Sequence, residues 1–476
     1  MNKIIIKTFK TMNRFWVYDR QSNSIISVTE EEHNNLKRIE EEGFDRNDNP
    51  VLHNYQNQGI FQPNTVRRIK HSRTNDLEHL SNTRIYQLIL QVTQQCNLRC
   101  EYCAFSGAYF ANRQHSSKTM SFEIAKDAID FFLARTKEQE RVHIGFYGGE
   151  PLLEFKLIKQ CVDYIKKLIE GKSYGFGLTT NGTLLTEQVV DYLIDNNFDI
   201  SISLDGSKSE HDKNRKFLSG EGSFDKIMEN VVSIKNRDLD FFLTKVSFLT
   251  VVNPKIDMKC TLDFFASDMI MRDTNIIFSS LQETGTDMTI RYDDKHQQTL
   301  RFEYLKMLFF LIGKLDKKYV SELTMASREQ YTKTFMTLKK HSSLSSVAHH
   351  GGPCLPGIRR LFVTTDARLF PCEKVSDQND YFCIGSLESG FNYQQMENIM
   401  NNGIITEAEC IKCWCLPLCK ICSDEVEFEG GNVLMKENKM RVCVREKNRI
   451  MIDLIESCVL REFGYIEDYL QGAIHE

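Results

Sequence analysis

Long apolar runs are missing from this chain. The nearest approach, Met307-Leu308-Phe309-Phe310-Leu311-Ile312, falls far short of the roughly 18 apolar residues that span a bilayer. The N-terminus carries Lys3 but neither the apolar stretch nor the cleavage site of a secretion signal. An excess of one charge is missing too: 60 Lys and Arg against 65 Asp and Glu leave a net charge of −5. A chain without a basic excess has little to hold nucleic acid phosphates. These absences exclude membrane and nucleic acid as partners and lead to an expected cytoplasmic location. What remains is ordinary globular material, 41% hydrophobic and 26% charged over 476 residues, long enough for two or three domains.

Cysteine, by contrast, is plentiful. Fifteen cysteines are unusual in a reducing compartment unless they bind metal, and an odd number fits a complete disulfide set poorly. They are clustered, with Cys96, Cys100 and Cys103 in one loop and most of the others between 354 and 443. The first group follows Tyr86-Gln87-Leu88-Ile89-Leu90-Gln91-Val92-Thr93, which reads as a buried strand, so C-x3-C-x2-C lies at a strand end. Structural zinc takes four protein ligands. Three soft thiolates point instead to a metal centre with an open position, and an iron–sulfur cluster meets that description. Unrelated buried cysteines, or zinc completed from elsewhere, are the competing readings.

From Arg84 strands and helices alternate. Strands are expected at 86–93, 142–147, 175–180, 199–204, 243–251 and 274–279, and amphipathic helices near 122–135, 155–170, 186–196, 223–236 and 257–267. Such alternation implies parallel strands with right-handed crossovers. Six units predict an α/β fold, a partial (β/α)6 TIM-like barrel with chemistry at the C-terminal strand ends. Before it, strands at 3–9, 14–19 and 24–28, a Thr29/Glu32 capping box opening a helix to about 42, and a second short helix near 63–71 form an N-terminal unit. After it, 294–345 reads as a helical bridge or lid, a Gly-, Pro- and Cys-rich region begins at His349, and 440–473 reads as a helix. The expected domains are 1–80, 84–290, 291–348 and 349–476. Cys161, Cys260 and Cys458 lie in helical patterns and read as buried small hydrophobes.

Several polar groups fall at strand ends. The second barrel strand ends in Gly148-Gly149-Glu150, where two glycines allow close backbone approach and a carboxylate can receive an ammonium group. The third ends at Asn181, the fourth at Ser203 and Asp205, and His211-Asp212-x-x-Arg215 follows. Together with the cysteine spacing, this order resembles the radical S-adenosylmethionine (SAM) superfamily. The resemblance implies a [4Fe–4S] cluster on Cys96, Cys100 and Cys103, with SAM filling the open iron. It also implies that Gly148, Gly149 and Glu150 hold the SAM amino group, Arg215 its carboxylate and Ser203 its ribose. Asn181 and Asp205 complete the mouth, and the strand end near Val251 flanks the adenine.

The C-terminal third, with Cys354, Cys372, Cys410, Cys413, Cys419, Cys422 and Cys443, resembles the SPASM extension of these enzymes. That resemblance implies two further [4Fe–4S] clusters, three in all. Cys410, Cys413, Cys419 and Cys443 would hold an outer one, and Cys354, Cys372 and Cys422 an inner one with an open iron unless Cys415 or Cys383 supplies a fourth thiolate. Two departures stand out: Ala367 replaces a family glycine, and two rather than three residues precede Cys422. The C-x2-C pairs of 410–422 also suit a zinc ribbon. Residues 1–80 resemble a winged helix-turn-helix domain that binds a leader peptide by strand addition. The phrases Gly351 to Val363 and Pro371-Cys372-Glu373-Lys374-Val375 resemble maturases that install thioether links in cysteine-rich ribosomal peptides. The implied partners are a precursor peptide and an electron donor such as flavodoxin or ferredoxin. Rival readings are an anaerobic sulfatase-maturing enzyme, whose base is an Asp where this chain has the candidate catalytic residue Glu373, a maturase joining carbon to carbon, and a plain electron carrier. A carrier has no use for the Gly-Gly-Glu and Ser203 features.

Overall fold

The computed structural model describes residues 3–42, 50–110, 112–169, 171–271, 273–283, 285–286, 288–324, 344–351, 354–429 and 433–465. Its N-terminal strands β1 (Ile6–Lys10), β2 (Phe15–Asp19) and β3 (Ser24–Val28) form an antiparallel sheet with β2 in the middle. The capping box is present: Glu32 N donates to Thr29 Oγ1 at 3.2 Å and Thr29 N to Glu32 Oε2 at 2.8 Å, opening α1 (Glu30–Glu42). β1 and β3 are the two edge strands, and Glu40 of α1 accepts the Thr8 amide at 2.8 Å, so α1 guards the β1 edge. The helix expected near 63–71 is not formed. After α2 (Pro50–Asn57), Asn64 Oδ1 accepts the Val66 amide at 2.9 Å and competes with helical bonding, and Arg68–Ile69 pair as β4 with β11 (Val347–Ala348). A short α3 (Leu77–Thr83) leads into the barrel.

Six parallel strands lie in the order β5 (Gln87–Thr93), β6 (Arg141–Gly148), β7 (Ser173–Thr180), β8 (Phe198–Ser203), β9 (Val246–Val252) and β10 (Asn275–Ser280). They are joined by α4 (Phe122–Leu133), α5 (Phe155–Leu168), α6 (Glu187–Asp195), α7 (Lys208–Asn214), α8 (Phe224–Arg237), α9 (Leu239–Lys245) and α10 (Met258–Ser267). This is the expected partial barrel. Aromatic rings fill its core, with Phe176 stacked on Phe198 at 5.2 Å between centroids. Two helices, α7 and α9, are additions to the sequence-based expectation. Residues 243–245 belong to α9 rather than to the strand, because the Asp238 carboxylate accepts the Phe241 amide at 2.9 Å and starts a helix there.

Past β5 the same sheet continues with β12 (Leu361–Val363), parallel to β5, then β13 (Arg368–Phe370), β14 (Gly385–Ser386) and β15 (Gly390–Phe391), all antiparallel. One apolar core runs from Leu88 and Phe146 through Leu361, Phe370 and Met400. The cysteine-rich region is therefore bonded to the open edge of the barrel. Helix α11 (Asp294–Leu311) packs Met307 and Leu311 on Leu460 of the C-terminal helix Lys436–Glu462. The expected helical stretch 294–345 is broken after Leu311, where Gly313 (φ 70°) accompanies a turn and only the short helical turn Lys317–Tyr319 follows. The C-terminal helix ends at Glu462, and residues 325–343 and 466–473 of these expectations lie outside the described residues. The N-terminal sheet rests on this C-terminal half: Trp16 and Tyr18 pack against Leu418 and Ile450, and the buried Arg20 donates to Ile411 O at 2.8 Å. Among the described residues no helix is long and apolar enough to cross a membrane. Cys161 and Cys458 are buried as expected, but Cys260 is exposed, since its place on α10 faces outward.

Candidate active site

The site begins where β5 and β6 end side by side. Gly149 N donates to Thr93 O at 3.0 Å and Glu150 N to Gln95 O at 2.7 Å. A Cβ on Gly148 would stand 2.1 Å from Thr93 O, and one on Gly149 1.9 Å from Gln95 O. No other residue permits so close an approach, and Gly148 also has φ of 149°. The glycine pair thus anchors the chain immediately before Cys96.

Each thiol of the loop meets donors. Leu98 N (3.4 Å) and Asn181 Nδ2 (3.8 Å) point at Cys96 Sγ, Arg215 Nη1 at Cys100 Sγ (3.9 Å), and Phe105 N at Cys103 Sγ (3.4 Å). Burial pushes the Cys96 and Cys100 thiols up to about 11 and raises Cys103 as well. Without a metal these groups hold their protons, and metal binding must release them. The N–H groups aimed at sulfur suit the thiolate form, so the three residues fit a cluster with thiolate ligands.

A cavity of about 180 Å³ opens beside them, lined also by Gly148, Gly149, Asn181, Ser203 and Arg215. Three of the expected SAM contacts, Glu150, Asp205 and Val251, do not line it. Glu150 is fully buried and turned toward β7, accepting Leu152 N (3.0 Å), Thr180 Oγ1 (2.8 Å) and Asn181 N (2.7 Å). Burial raises its pKa to about 7. Three donors of the chain itself thus already bond this carboxylate. Asp205, likewise buried, accepts Arg215 Nε and Val251 N, both at 3.0 Å, and the Tyr102 hydroxyl. Its carboxylate holds Arg215 in place instead of reaching the cavity. His211 adds a support: Asp205 N donates to its Nδ1 at 3.2 Å, its Nε2 pairs with Ser223 Oγ at 2.9 Å, and burial lowers its pKa to about 3, leaving it neutral. Tyr102 escaped the sequence reading, although its place inside the C-x2-C pair was a usable signal.

A second cavity of about 800 Å³ shares Tyr102, Cys103, Phe105 and Tyr147 with the first. It extends past Val251 to the segment after β10, to Glu373, Lys374 and Val375, to Asp424 and Glu425, and to Arg445 and Arg449 on the C-terminal helix. Val251 thus faces the larger space. Glu373 is bonded to Arg360 Nη1 at 2.6 Å through Oε1, while its Oε2 is buried without a partner among the described residues. Burial raises Asp424 to about 6.

The C-terminal thiols form two groups. Cys422 feels the charges of Cys354 and Cys372, and burial raises all three. Around a cavity of about 30 Å³ stand Cys410, Cys413, Cys415, Cys419 and Cys443. Cys415 Sγ lies 3.5 Å from Cys413 Sγ, a contact in which either thiol can donate and which lowers Cys413 and raises Cys415. Cys383 donates to Gly385 O at 3.5 Å. Among the described residues no three His, Cys, Asp or Glu side chains converge as for a single metal ion. A four-iron cluster is a wider body than an ion, and its thiolates stand apart.

Comparison with known proteins places this geometry. Residues 90–265 match the Radical SAM superfamily, so this part of the chain is a Radical SAM domain. The chain is similar to the cysteine-type anaerobic sulfatase-maturating enzyme of Clostridium novyi (strain NT), 25% identical over 354 residues, which cover 70% of this chain and 86% of that protein. It is also similar to the radical SAM cyclopropyl synthase TigE of Paramaledivibacter caminithermalis, 21% identical over 430 residues, 86% of this chain and 83% of that one. Native anSMEcpe with bound AdoMet superposes with a TM-score of 0.56 at 20% identity, covering 80% of this chain and 98% of that chain. The chain therefore has the α/β radical SAM fold. Against two other curated relatives the match spans about half of their length, 52% and 42%.

Proposed function

We propose that this protein is a radical SAM maturase that joins a cysteine sulfur to a carbon atom of a ribosomally made precursor peptide. The observation that carries the proposal is the continuity of the two cavities: a peptide in the larger one lies between Cys103 and the residues next to Cys372 and Cys422. When bound, a reduced [4Fe–4S] cluster and SAM supply a 5′-deoxyadenosyl radical that removes a hydrogen atom from carbon. Cys96, Cys100 and Cys103 hold that cluster. The backbone of Gly148 and Gly149, with Asn181, Ser203 and Arg215, orients SAM, and Asp205 and Tyr102 keep Arg215 aimed.

Cys354, Cys372 and Cys422 hold an inner auxiliary cluster, and Cys410, Cys413, Cys419 and Cys443 an outer one. Cys415 is engaged with Cys413 and Cys383 with Gly385, so Cys354, Cys372 and Cys422 are the thiols that would hold the inner cluster, close to where the peptide would lie. Glu373, which lines the same cavity and keeps a buried carboxylate oxygen unpartnered among the described residues, would take the proton of the peptide thiol. The electron released as sulfur bonds to carbon would be taken up by the auxiliary iron–sulfur centres that these cysteines would hold. The leader pairs with the outer edge of β3, since β1 is guarded by Glu40. Formylglycine formation is the second reading, favoured by the similarity to the Clostridium novyi enzyme.

The test is spectroscopic. A cysteine-containing precursor peptide should perturb the spectrum of an auxiliary cluster, and its Cys-to-Ser counterpart should not. Equal perturbation by both peptides would count against sulfur binding.

A further inference from the structure

Lys439, Cys443 and Lys447 sit at i, i+4 and i+8 of the C-terminal helix, on one face and a turn apart. The Lys439 residue is 1% exposed. Its Nζ donates to Asn402 O at 2.6 Å, with Asn402 Oδ1 at 3.4 Å. Asn402 is itself fixed: its Oδ1 meets His350 Nε2 at 2.8 Å and its Nδ2 donates to Ser423 Oγ at 2.9 Å. Every direct partner of this buried ammonium is neutral.

The groups whose charge Lys439 feels are the thiols of Cys410, Cys443 and Cys419. Of the two carboxylates lining the cavity that these thiols surround, Glu446 is paired with Arg449 at 2.8 Å. Glu409 is paired with Lys436 at 2.6 Å through Oε1, while its Oε2 is buried without a partner among the described residues; the charges that act on Lys439 are those of the thiols. Lys447 lines that cavity beside Cys443. A cation taken out of water without a counter-charge is costly to keep. An anionic group held by Cys410, Cys419 and Cys443 would supply that counter-charge.

We propose that Lys439, assisted by Lys447, is the counter-charge of an anionic iron–sulfur cluster on Cys410, Cys413, Cys419 and Cys443, and that it raises the reduction potential of this cluster. The proposal rests on the cluster reading given above. Four thiolates outweigh the charge of the cluster core, and reduction adds one more negative charge. Two ammonium groups favour that added charge, so the outer cluster is set to accept an electron. Lys439 is a positioning residue in this sense, since it acts on potential and touches no substrate.

The experiment is an EPR-monitored redox titration of the full chain, reconstituted with iron and sulfide, with iron content measured in parallel. Lys439→Met should lower the midpoint of one auxiliary cluster by a tenfold change in its reduction equilibrium or more, about 59 mV for one electron. Lys439→Arg, which keeps the charge, should restore the wild-type midpoint. Lys447→Met, at a half-buried position, should shift it in the same direction by less, and carries the test if Lys439→Met fails to hold iron. Wild-type midpoints in iron-loaded Lys439→Met and Lys447→Met would overturn the proposal alone. Unchanged iron content after replacing Cys410 and Cys443 together would overturn the cluster reading and the proposal with it.

Discussion

Replacing Gly149 by Ala tests the joint between β5 and β6. The added Cβ would stand 1.9 Å from Gln95 O and 2.5 Å from Gln95 C, against 3.4 Å for ordinary contact. The opposing atoms are backbone, so no rotamer relieves the clash, and the strand ends must part by about 1.5 Å, the difference between those distances. That movement breaks the bonds from Gly149 N to Thr93 O and from Glu150 N to Gln95 O. Two buried bonds at about 1 kcal/mol each, plus imperfectly satisfied groups, give an expected loss of roughly 2–4 kcal/mol. Gln95 carries Cys96 with it, so cluster loading should fall along with stability. Gly59→Ala is the control: its φ is 78° but nothing lies within 4 Å of the added Cβ. It should cost only about 1 kcal/mol through backbone conformation and leave iron content unchanged. Guanidinium unfolding midpoints and iron per chain measure both effects. A Gly149→Ala protein with wild-type midpoint and iron would refute the reasoning.

Glu150→Gln should destabilise by about 1–3 kcal/mol, because the amide presents a donor to the Asn181 N–H that the carboxylate accepts. The native Glu150, raised to about 7 by burial, binds its proton more tightly folded than unfolded; its contribution is present at acidic pH and fades as pH rises toward and through 7. Chemical denaturation at pH 5 and 8 should show this slope in the wild type and a flatter one in Glu150→Gln. Ala367 stands at φ of 64° between β12 and β13, so Ala367→Gly should relieve about 1 kcal/mol of left-handed strain, partly offset by the greater freedom of glycine when unfolded. A melting temperature lowered by the substitution would contradict that account.

The six strands and five of the seven helices between 86 and 280 were readable because apolar periodicity switched between two and 3.6 residues, whereas the short α7 and α9 carried too few turns to show it. The α9 turn at Asp238 and the pairing of Arg68–Ile69 were not, since each depends on one local side-chain bond. The positions of the thiols and of Ser203, Arg215 and Asn181 around one cavity followed from strand ends. The direction of a carboxylate did not follow. Glu150 and Asp205 stand where sequence order put them, yet Glu150 turns toward Thr180 at the end of β7 and Asp205 toward Val251 of β9, neighbouring strands that are distant in sequence. The glycine at Ala367 expected by resemblance has a visible cause, the left-handed turn that closes the β12–β13 hairpin.

The central claim is that a peptide cysteine becomes bonded to carbon. The most direct measurement is mass analysis of a cysteine-containing precursor peptide after anaerobic incubation with the reconstituted protein, SAM and a reductant, followed by thiol alkylation. A product lighter by two hydrogens with one fewer alkylated thiol is the expected result. An aldehyde in place of the thiol, or a loss of two hydrogens with every thiol still alkylated, would contradict it.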